Sequence, residues 1–333
     1  MSTVLVTGAS GFVGSHVVPA LIDAGHDVVA LVGSEASGDL VERRLEPAQR
    51  ASLTTRIGDV TDLASLPTTL DGVEAIVHLA AIPRDWDGGA SLRLVNTEGT
   101  RNVVRAATDA GIRRFVHLGA LGVADQPDLH YASSKAKAMA LVRASGLDWT
   151  ILSPSLLFGP RDGFFNILAG LVRLSPGVTP ITGRGEARFQ PLAIEDLARI
   201  VVRVLADPAT TGTEYLLGGP RTWTYREIMG EVLRGMGTRR ALLPVPVPVI
   251  RLVAGAMETL GIRWFPVATD QLRQLKLDNT GPADAVRATC ADTRDEATYR
   301  VSVDRALQAA EPVAAAVGAS SGSELSRDAI DEA

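Results

Sequence analysis

The sequence predicts an α/β fold in which a parallel sheet is wound on both faces by helices and a smaller C-terminal lobe follows. Three observations predict it. The apolar, β-branched run Thr3-Val4-Leu5-Val6-Thr7 breaks into three glycines spaced three apart, Gly8, Gly11 and Gly14. Similar short runs recur at 28–32, 53–57, 75–79, 114–118 and 150–152, separated by intervals long enough for crossovers. Beyond Gly159-Pro160-Arg161-Asp162-Gly163 the alternation gives way to Gly- and Pro-rich connections between short helices. Six parallel strands by residue 153 make a Rossmann-type, doubly wound sheet.

Each element has a local reason. The first run reads as a buried parallel strand, and the spacing of Val13, Val17, Val18, Leu21 and Ile22 reads as a helix ending near Gly25, with Pro19 bending it. Strand, glycine turn and helix are the context a dinucleotide-binding loop requires. Gly8 permits the tight turn, Gly11 lets backbone approach a pyrophosphate, Gly14 lets the helix lie close on the strand, and the helix N-terminus offers N–H groups and a positive dipole end. Helices are predicted over about 90–110 and 131–144, flanking the strand at 114–118. The stretch 189–206 reads as a return to the sheet, with Glu195 and Asp196 at a helix start where negative charge suits the dipole. The expected organisation is a dinucleotide-binding domain over 1–155, to which 187–217 return, a substrate lobe over 156–186 and 218–308, and a disordered tail over 309–333.

Composition narrows the function. With 46% apolar residues the chain can bury a full core, and a net charge of −5 with mixed signs gives no nucleic-acid footprint. A strand beginning at the third residue leaves no room for a signal peptide, so a cytoplasmic location is expected. The single Cys290 agrees with a reducing compartment and excludes a cysteine-based metal site. The apolar stretch 242–267 is broken by Pro244, Pro246, Pro248, Arg251, Glu258 and Arg263, so no transmembrane segment is predicted. His16, His26, His78, His117 and His130 have no metal-ligand spacing and are read as structural, with no metal expected. Ser10, Ser153 and Ser155 lack a nucleophile-elbow context.

Tyr131-Ala132-Ser133-Ser134-Lys135 places a phenol and an ammonium one helical turn apart. Taken alone, such a pair is most often a solvated helix face. After five βα-type units that open on a glycine loop, it reads as a proton-transfer pair, the cation favouring phenolate and drawing the phenol down from its usual value of about 10.

These residues resemble the short-chain dehydrogenase/reductase family in its extended and atypical branch. Further matching segments are Gly58-Asp59-Val60-Thr61-Asp62, His78-Leu79-Ala80-Ala81 and Asn96-Thr97-Glu98-Gly99-Thr100-Arg101-Asn102-Val103, and the likeness covers residues 3–240. It implies that Ser10, Phe12 and Val13 join the three glycines in holding the dinucleotide, that Asp59 and Val60 meet the adenine, and that Leu79, Ala80 and Ala81 line the cofactor. It also implies that Tyr131 and Lys135 are the catalytic pair, Lys135 holding the nicotinamide ribose as well. Pro154, Ser155 and Leu156 fall in the segment beside the carboxamide, and Asn96 matches an asparagine that supports a proton relay in many members. Val116-His117-Leu118-Gly119-Ala120-Leu121-Gly122 and Gly185-Glu186-Ala187-Arg188-Phe189-Gln190-Pro191-Leu192 are similar to the branch of the nucleotide-binding accessory subunit of respiratory complex I.

One position departs from that pattern. The family's Ser or Thr at the end of the fifth strand is Gly119 here, and losing one donor to a developing oxyanion costs roughly two to three orders of magnitude in rate. Ser155 is the favoured substitute, since Ser133 points about 200° around the helix from Tyr131. The end of the second strand carries no acid at Gly33 or Ser34, which favours NADP over NAD with Ser34 as donor. Glu35 argues the other way, and Arg43 and Arg44 read as a solvated helix face. The expected function is an NAD(P)-dependent oxidoreductase acting on a carbonyl or alcohol of a hydrophobic small molecule, lodged near Phe158, Phe164, Phe165 and the stretch after Leu242. Two alternatives stay open: a non-catalytic NAD(P)H-binding redox-sensing or assembly protein, and a nucleotide-sugar epimerase or dehydratase. A homo-oligomer and peripheral association with a complex are both compatible with the sequence.

Overall fold

A computed structural model describes residues 1–84, 87–175, 177–246, 248–249 and 280 of the chain. It divides into two compact units, one of Met1–Pro154 with Ile194–Leu217, the other of Ser155–Ala193 with the chain from Gly218 onward. Expectations for 250–279 and 281–333, including the tail and Cys290, lie outside the described residues.

In the first unit β1 (Thr3–Thr7), α1 (Gly14–Asp23), β2 (Asp27–Val32), α2 (Glu35–Arg43), β3 (Leu53–Ile57) and β4 (Ala75–His78) follow in order. Buried on both faces, β1, β2 and β4 read as continuous apolar runs, as parallel strands do. The helix expected over 90–110 is three pieces: α3 (Ala90–Leu92), a π-helical turn over Arg93–Glu98 and α4 (Gly99–Asp109). A single apolar periodicity runs through all three, so the extra residue of the π turn leaves no mark in the pattern. β5 (Arg114–Leu118), α5 (His130–Arg143) and β6 (Asp148–Pro154) follow.

In the second unit come β7 (Leu157–Phe158), α6 (Gly163–Leu174), β8 (Val178–Thr182), β9 (Arg188–Phe189) and β10 (Leu192–Ala193). The chain then rejoins the first unit as α7 (Ile194–Ala206) and β11 (Thr213–Leu217), and ends its described course as β12 (Trp223–Thr224), α8 (Tyr225–Gly235) and β13 (Ala241–Val245).

The main sheet has seven strands in the order β3-β2-β1-β4-β5-β6-β11, every neighbouring pair parallel. The edge strand β11 is an addition to the six expected. Its sequence Thr-Glu-Tyr-Leu-Leu is only partly buried and carries no long apolar run. One face of the sheet packs Leu5, Val29, Leu31, Ile76, Phe115 and Ile151 against Val103, Ala106 and Ala107 of α4 and Met139 and Val142 of α5. α1 packs against α7. The reversal of strand order between β1 and β4 leaves the carboxyl ends of those strands as the natural place for a dinucleotide.

The second unit has its own core. Phe158 and Phe165, 2% and 0% exposed, pack there with Leu168, Ile181, Trp223 and Ile228. Phe164 is partly buried against them. Phe158 and Phe165, in contact at 5.9 Å between ring centroids, therefore fill the interior of this unit instead of lining a substrate surface, because burying such large apolar rings is favourable. Asp162 caps α6, and Thr224 with Glu227 forms a capping box on α8.

Candidate functional site

The loop after β1 shows why its glycines are there. Gly8 has a positive φ of 68°, and a Cβ on it would lie 2.8 Å from the backbone nitrogen of Ala80. A Cβ on Gly14 would collide with the carbonyl oxygens of Gly8 and Ala9, so helix and strand can meet only at glycine. Gly11 differs, since among the described residues a Cβ there would approach nothing nearer than Gly8 O at 3.4 Å. The protein alone leaves room for a side chain at Gly11, which fits a position kept small for a bound pyrophosphate. Among the described residues no side chain caps α1, and no acid stands in its first turn, so its positive end suits an anion. These features fit a dinucleotide. Phe12 and Val13, both half-buried, and Ser10 complete the loop.

Thr7 draws the far side of the loop into place, its Oγ1 accepting from the N–H groups of Leu79 and Ala80, each at 3.2 Å. Leu79 is buried, Ala80 half-buried and Ala81 exposed. Ser34 sits at the end of β2, where its hydroxyl accepts from Ser37 N at 3.2 Å and caps α2. Arg43 is exposed, but Arg44 donates to Ser10 O at 2.5 Å and is no solvated face. Helical periodicity could not reveal this contact, because its acceptor is a main-chain carbonyl of a distant loop. Asp59 accepts from the N–H and hydroxyl of Thr61, both at 2.8 Å, and Val60 O accepts from Asn102 Nδ2 at 2.9 Å. Gly99 lies against Val60, where a Cβ would come within 3.0 Å of Val60 Cγ2.

Tyr131 and Lys135 lie one turn apart on α5. Tyr131 is half-buried, while Lys135 is 3% exposed and donates from Nζ to Leu118 O, the last carbonyl of β5, at 2.5 Å. Burial pushes the phenol up to about 12 and the ammonium down to about 8. The effect on the phenol is opposite to that expected from a neighbouring cation, because desolvation of a phenolate outweighs attraction to an ammonium held at Leu118 O. The phenol is a proton donor in this state. Asn96, on the π turn and 1% exposed, accepts from Ile82 N at 2.8 Å and donates to Ile82 O at 3.1 Å and to Ser134 Oγ at 3.0 Å.

The space beside Gly119 is narrow. A Cβ there would lie 2.7 Å from Ser153 Oγ and 3.1 Å from both Ile151 Cγ2 and Met139 Sδ. Ser153, on the neighbouring strand, donates to Glu214 at 2.7 Å, and Arg143 pairs with the same carboxylate at 2.5 Å. The space a side chain at 119 would enter is thus filled by a hydroxyl that faces a carboxylate on β11. Ser133 donates to Asp125. Past Gly119 the chain runs beside Pro154, whose carbonyl accepts from Leu121 N at 2.9 Å. In the second unit Ser155 is 5% exposed and accepts from Gln190 N at 3.3 Å, while Leu156 packs on that unit's core.

Residues 8–208 match the profile of a family described as NAD(P)H-binding. Sterol demethylase protein B of Methylococcus capsulatus is 30% identical over 302 residues, spanning 84% of this chain and 89% of that protein. The 40 kDa subunit of NADH-ubiquinone oxidoreductase from Neurospora crassa is 24% identical over 80% of this chain and 68% of its own. Among solved structures, the dTDP-glucose 4,6-dehydratase DesIV of Streptomyces venezuelae, crystallised with NAD, superposes with a TM-score of 0.61 at 28% identity over 73% of this chain and 84% of its own. Glycine loop, seven-stranded parallel sheet and sequence likeness converge, and the chain belongs to the NAD(P)H-binding family within the extended and atypical short-chain dehydrogenase/reductases.

Proposed function

We propose that the protein is an NAD(P)H-dependent reductase or dehydrogenase acting on a carbonyl or alcohol of a hydrophobic small molecule. The observation that carries the reading is the Tyr131–Lys135 pair, with a protonated, half-buried phenol and a buried cation on one helix face. When bound, a nicotinamide supplies or takes the hydride at carbon. Tyr131 Oη gives its proton to the substrate oxygen in reduction and takes it back in oxidation. Lys135 stabilises the phenolate left behind, and its burial strengthens that interaction. Likeness to sterol demethylase protein B, whose name points to an apolar sterol, supports an apolar substrate.

NADP is the cofactor we infer. No acid stands at Gly33 or Ser34, and Arg44 brings a guanidinium to the loop at Ser10. The test is absorbance of reduced cofactor against hydrophobic ketones, aldehydes and quinones, alongside dissociation constants for NADPH and NADH. Oxidation of NADPH by at least one substrate class, with tighter binding of NADPH than NADH, is expected. Tight binding with no oxidation by any of them overturns the reading in favour of a non-catalytic NAD(P)H-binding role beside other proteins. Gly119 and the likeness to a respiratory-complex subunit support that second reading.

A further inference from the structure

β1 ends on Thr7 and β4 on His78, the two in register and both 0% exposed. Thr7 Oγ1 already accepts from Leu79 N and Ala80 N. Its single proton is therefore directed to its remaining neighbour, His78 Nδ1, at 2.7 Å. Nδ1 is the acceptor nitrogen and Nε2 carries the hydrogen, an assignment that follows from the bonding of its neighbours. Nε2 faces Thr100 Oγ1 at 3.0 Å, and Thr100 in turn donates to Asn96 O at 2.7 Å. Every atom has one consistent role only if the imidazole is neutral. Burial, with a smaller contribution from the Lys135 ammonium, holds His78 down to about 3 and agrees with that state.

From Asn96 the connection continues. Its side chain clamps Ile82 at both backbone groups and donates to Ser134 Oγ, which donates to Tyr131 O at 2.8 Å. Asn96 lies in the π-helical turn, a local distortion that recurs at functional sites. One imidazole thus joins the residue preceding Gly8 to the turn of α5 that carries Tyr131 and Lys135. His117 provides the contrast. It is in register on β5, stacked on His78 at 5.3 Å and 1% exposed, yet neither of its ring nitrogens has a hydrogen-bond partner among the described residues. Filling such a space requires no hydrogen-bond network, and a branched aliphatic side chain would fill the end of β4 with less desolvation.

We propose that His78 is a positioning residue that couples occupation of the glycine loop to the placement of Tyr131 and Lys135. The proposal rests on the reading of those two residues as the reacting pair.

The test compares wild type with His78→Gln, which reaches Thr100 but not Thr7, and His78→Asn, which reaches Thr7 but not Thr100. Amide hydrogen exchange is followed with and without saturating NADPH. In wild type, NADPH is expected to slow exchange both at 14–18 and at 132–136. In both variants the slowing at 132–136 falls at least fivefold while that at 14–18 remains, and kcat falls with KM for NADPH unchanged. The proposal is overturned by slowing at 132–136 that persists in the variants or is absent from wild type. Loss of protection throughout β1, β4 and β5 without NADPH overturns it too, since that marks a merely structural role. Should neither variant fold, Thr100→Val breaks the same bond without touching a strand and is read by the same criteria. Coupled protection in a wild type that oxidises no substrate would sink the oxidoreductase reading and leave the coupling intact, whereas turnover without coupling does the reverse.

Discussion

The two halves of the main sheet do their work by different means. In the half around β1 and β2, the binding loop is shaped by backbone sterics, with Gly14 meeting the carbonyls of Gly8 and Ala9, residues within six positions of it. In the half around β4, β5 and β6, the helix turn of Tyr131 and Lys135, the pair proposed to react, is tied by hydrogen bonds between residues far apart in sequence, through His78, Asn96 and Ser134. A loop built from neighbours is written in a short motif. A site built from distant partners is visible only once the chain has folded.

The largest expected effect tests the second half. Tyr131→Phe should lower turnover by roughly two to four orders of magnitude, the usual worth of a positioned general acid, with NADPH affinity changed by less than about twofold. Steady-state rates and a binding titration check it, and retained turnover would move the chemistry elsewhere. The first half answers with Gly14→Ala, whose Cβ must collide with backbone that cannot move aside. A loss of about 3 kcal/mol or more is expected in chemical denaturation, whether or not cofactor is present.

Gly11→Ala sharpens the contrast inside the loop. Because the chain leaves space there, stability should be nearly unchanged, while NADPH affinity drops by the worth of about one charge-assisted hydrogen bond, ~1.5–3 kcal/mol. Equal losses of stability at Gly11 and Gly14 would erase the distinction between a glycine required by the fold and one required by the ligand.

Gly119→Ser asks whether the missing hydroxyl can be restored. Overpacking against Ser153, Ile151 and Met139 should cost about 1–3 kcal/mol without raising turnover, and Ser153→Ala in the same chain should recover part of it. A rise in turnover from the single substitution would show that the packed site yields.

The last effect is one of pH. Lys135 titrates near 8 in the folded chain and near 10.4 unfolded, so burial of its ammonium destabilises the fold fully below about pH 8. That cost fades as pH rises from 8 toward 10.4, and wild type should gain on Lys135→Met by at most about 1.4 kcal/mol per pH unit across that window. Paired denaturation curves at pH 7 and pH 9.5 measure it, and a constant difference would mean the ammonium is not desolvated.

Much of the fold is legible beforehand for reasons that apply to particular residues. Val4, Leu5 and Val6 are buried on both faces, so their run is unbroken, and Tyr131 and Lys135 share a face because the helix repeats every 3.6 residues. The edge strand β11 escapes because its outer side needs no apolar residues, and Glu214 within it serves Ser153 and Arg143. The π turn escapes because one extra residue hardly disturbs the spacing of a helix that continues as α4. His78 and His117 look alike as lone histidines in apolar strands, yet among the described residues one is bonded on both sides and the other on neither.

By itself, the sequence determined the glycine loop, the parallel sheet and the spacing of phenol and ammonium, since each depends on residues within one or two turns or strands of one another. Only the tertiary structure decided what surrounds them. Burial shifted the titration of Tyr131 up and of Lys135 down, Ser153 closed the space beside Gly119, and Arg44 was brought to Ser10. Desolvation and steric exclusion are properties of a packed neighbourhood, and that neighbourhood exists only where separate segments meet.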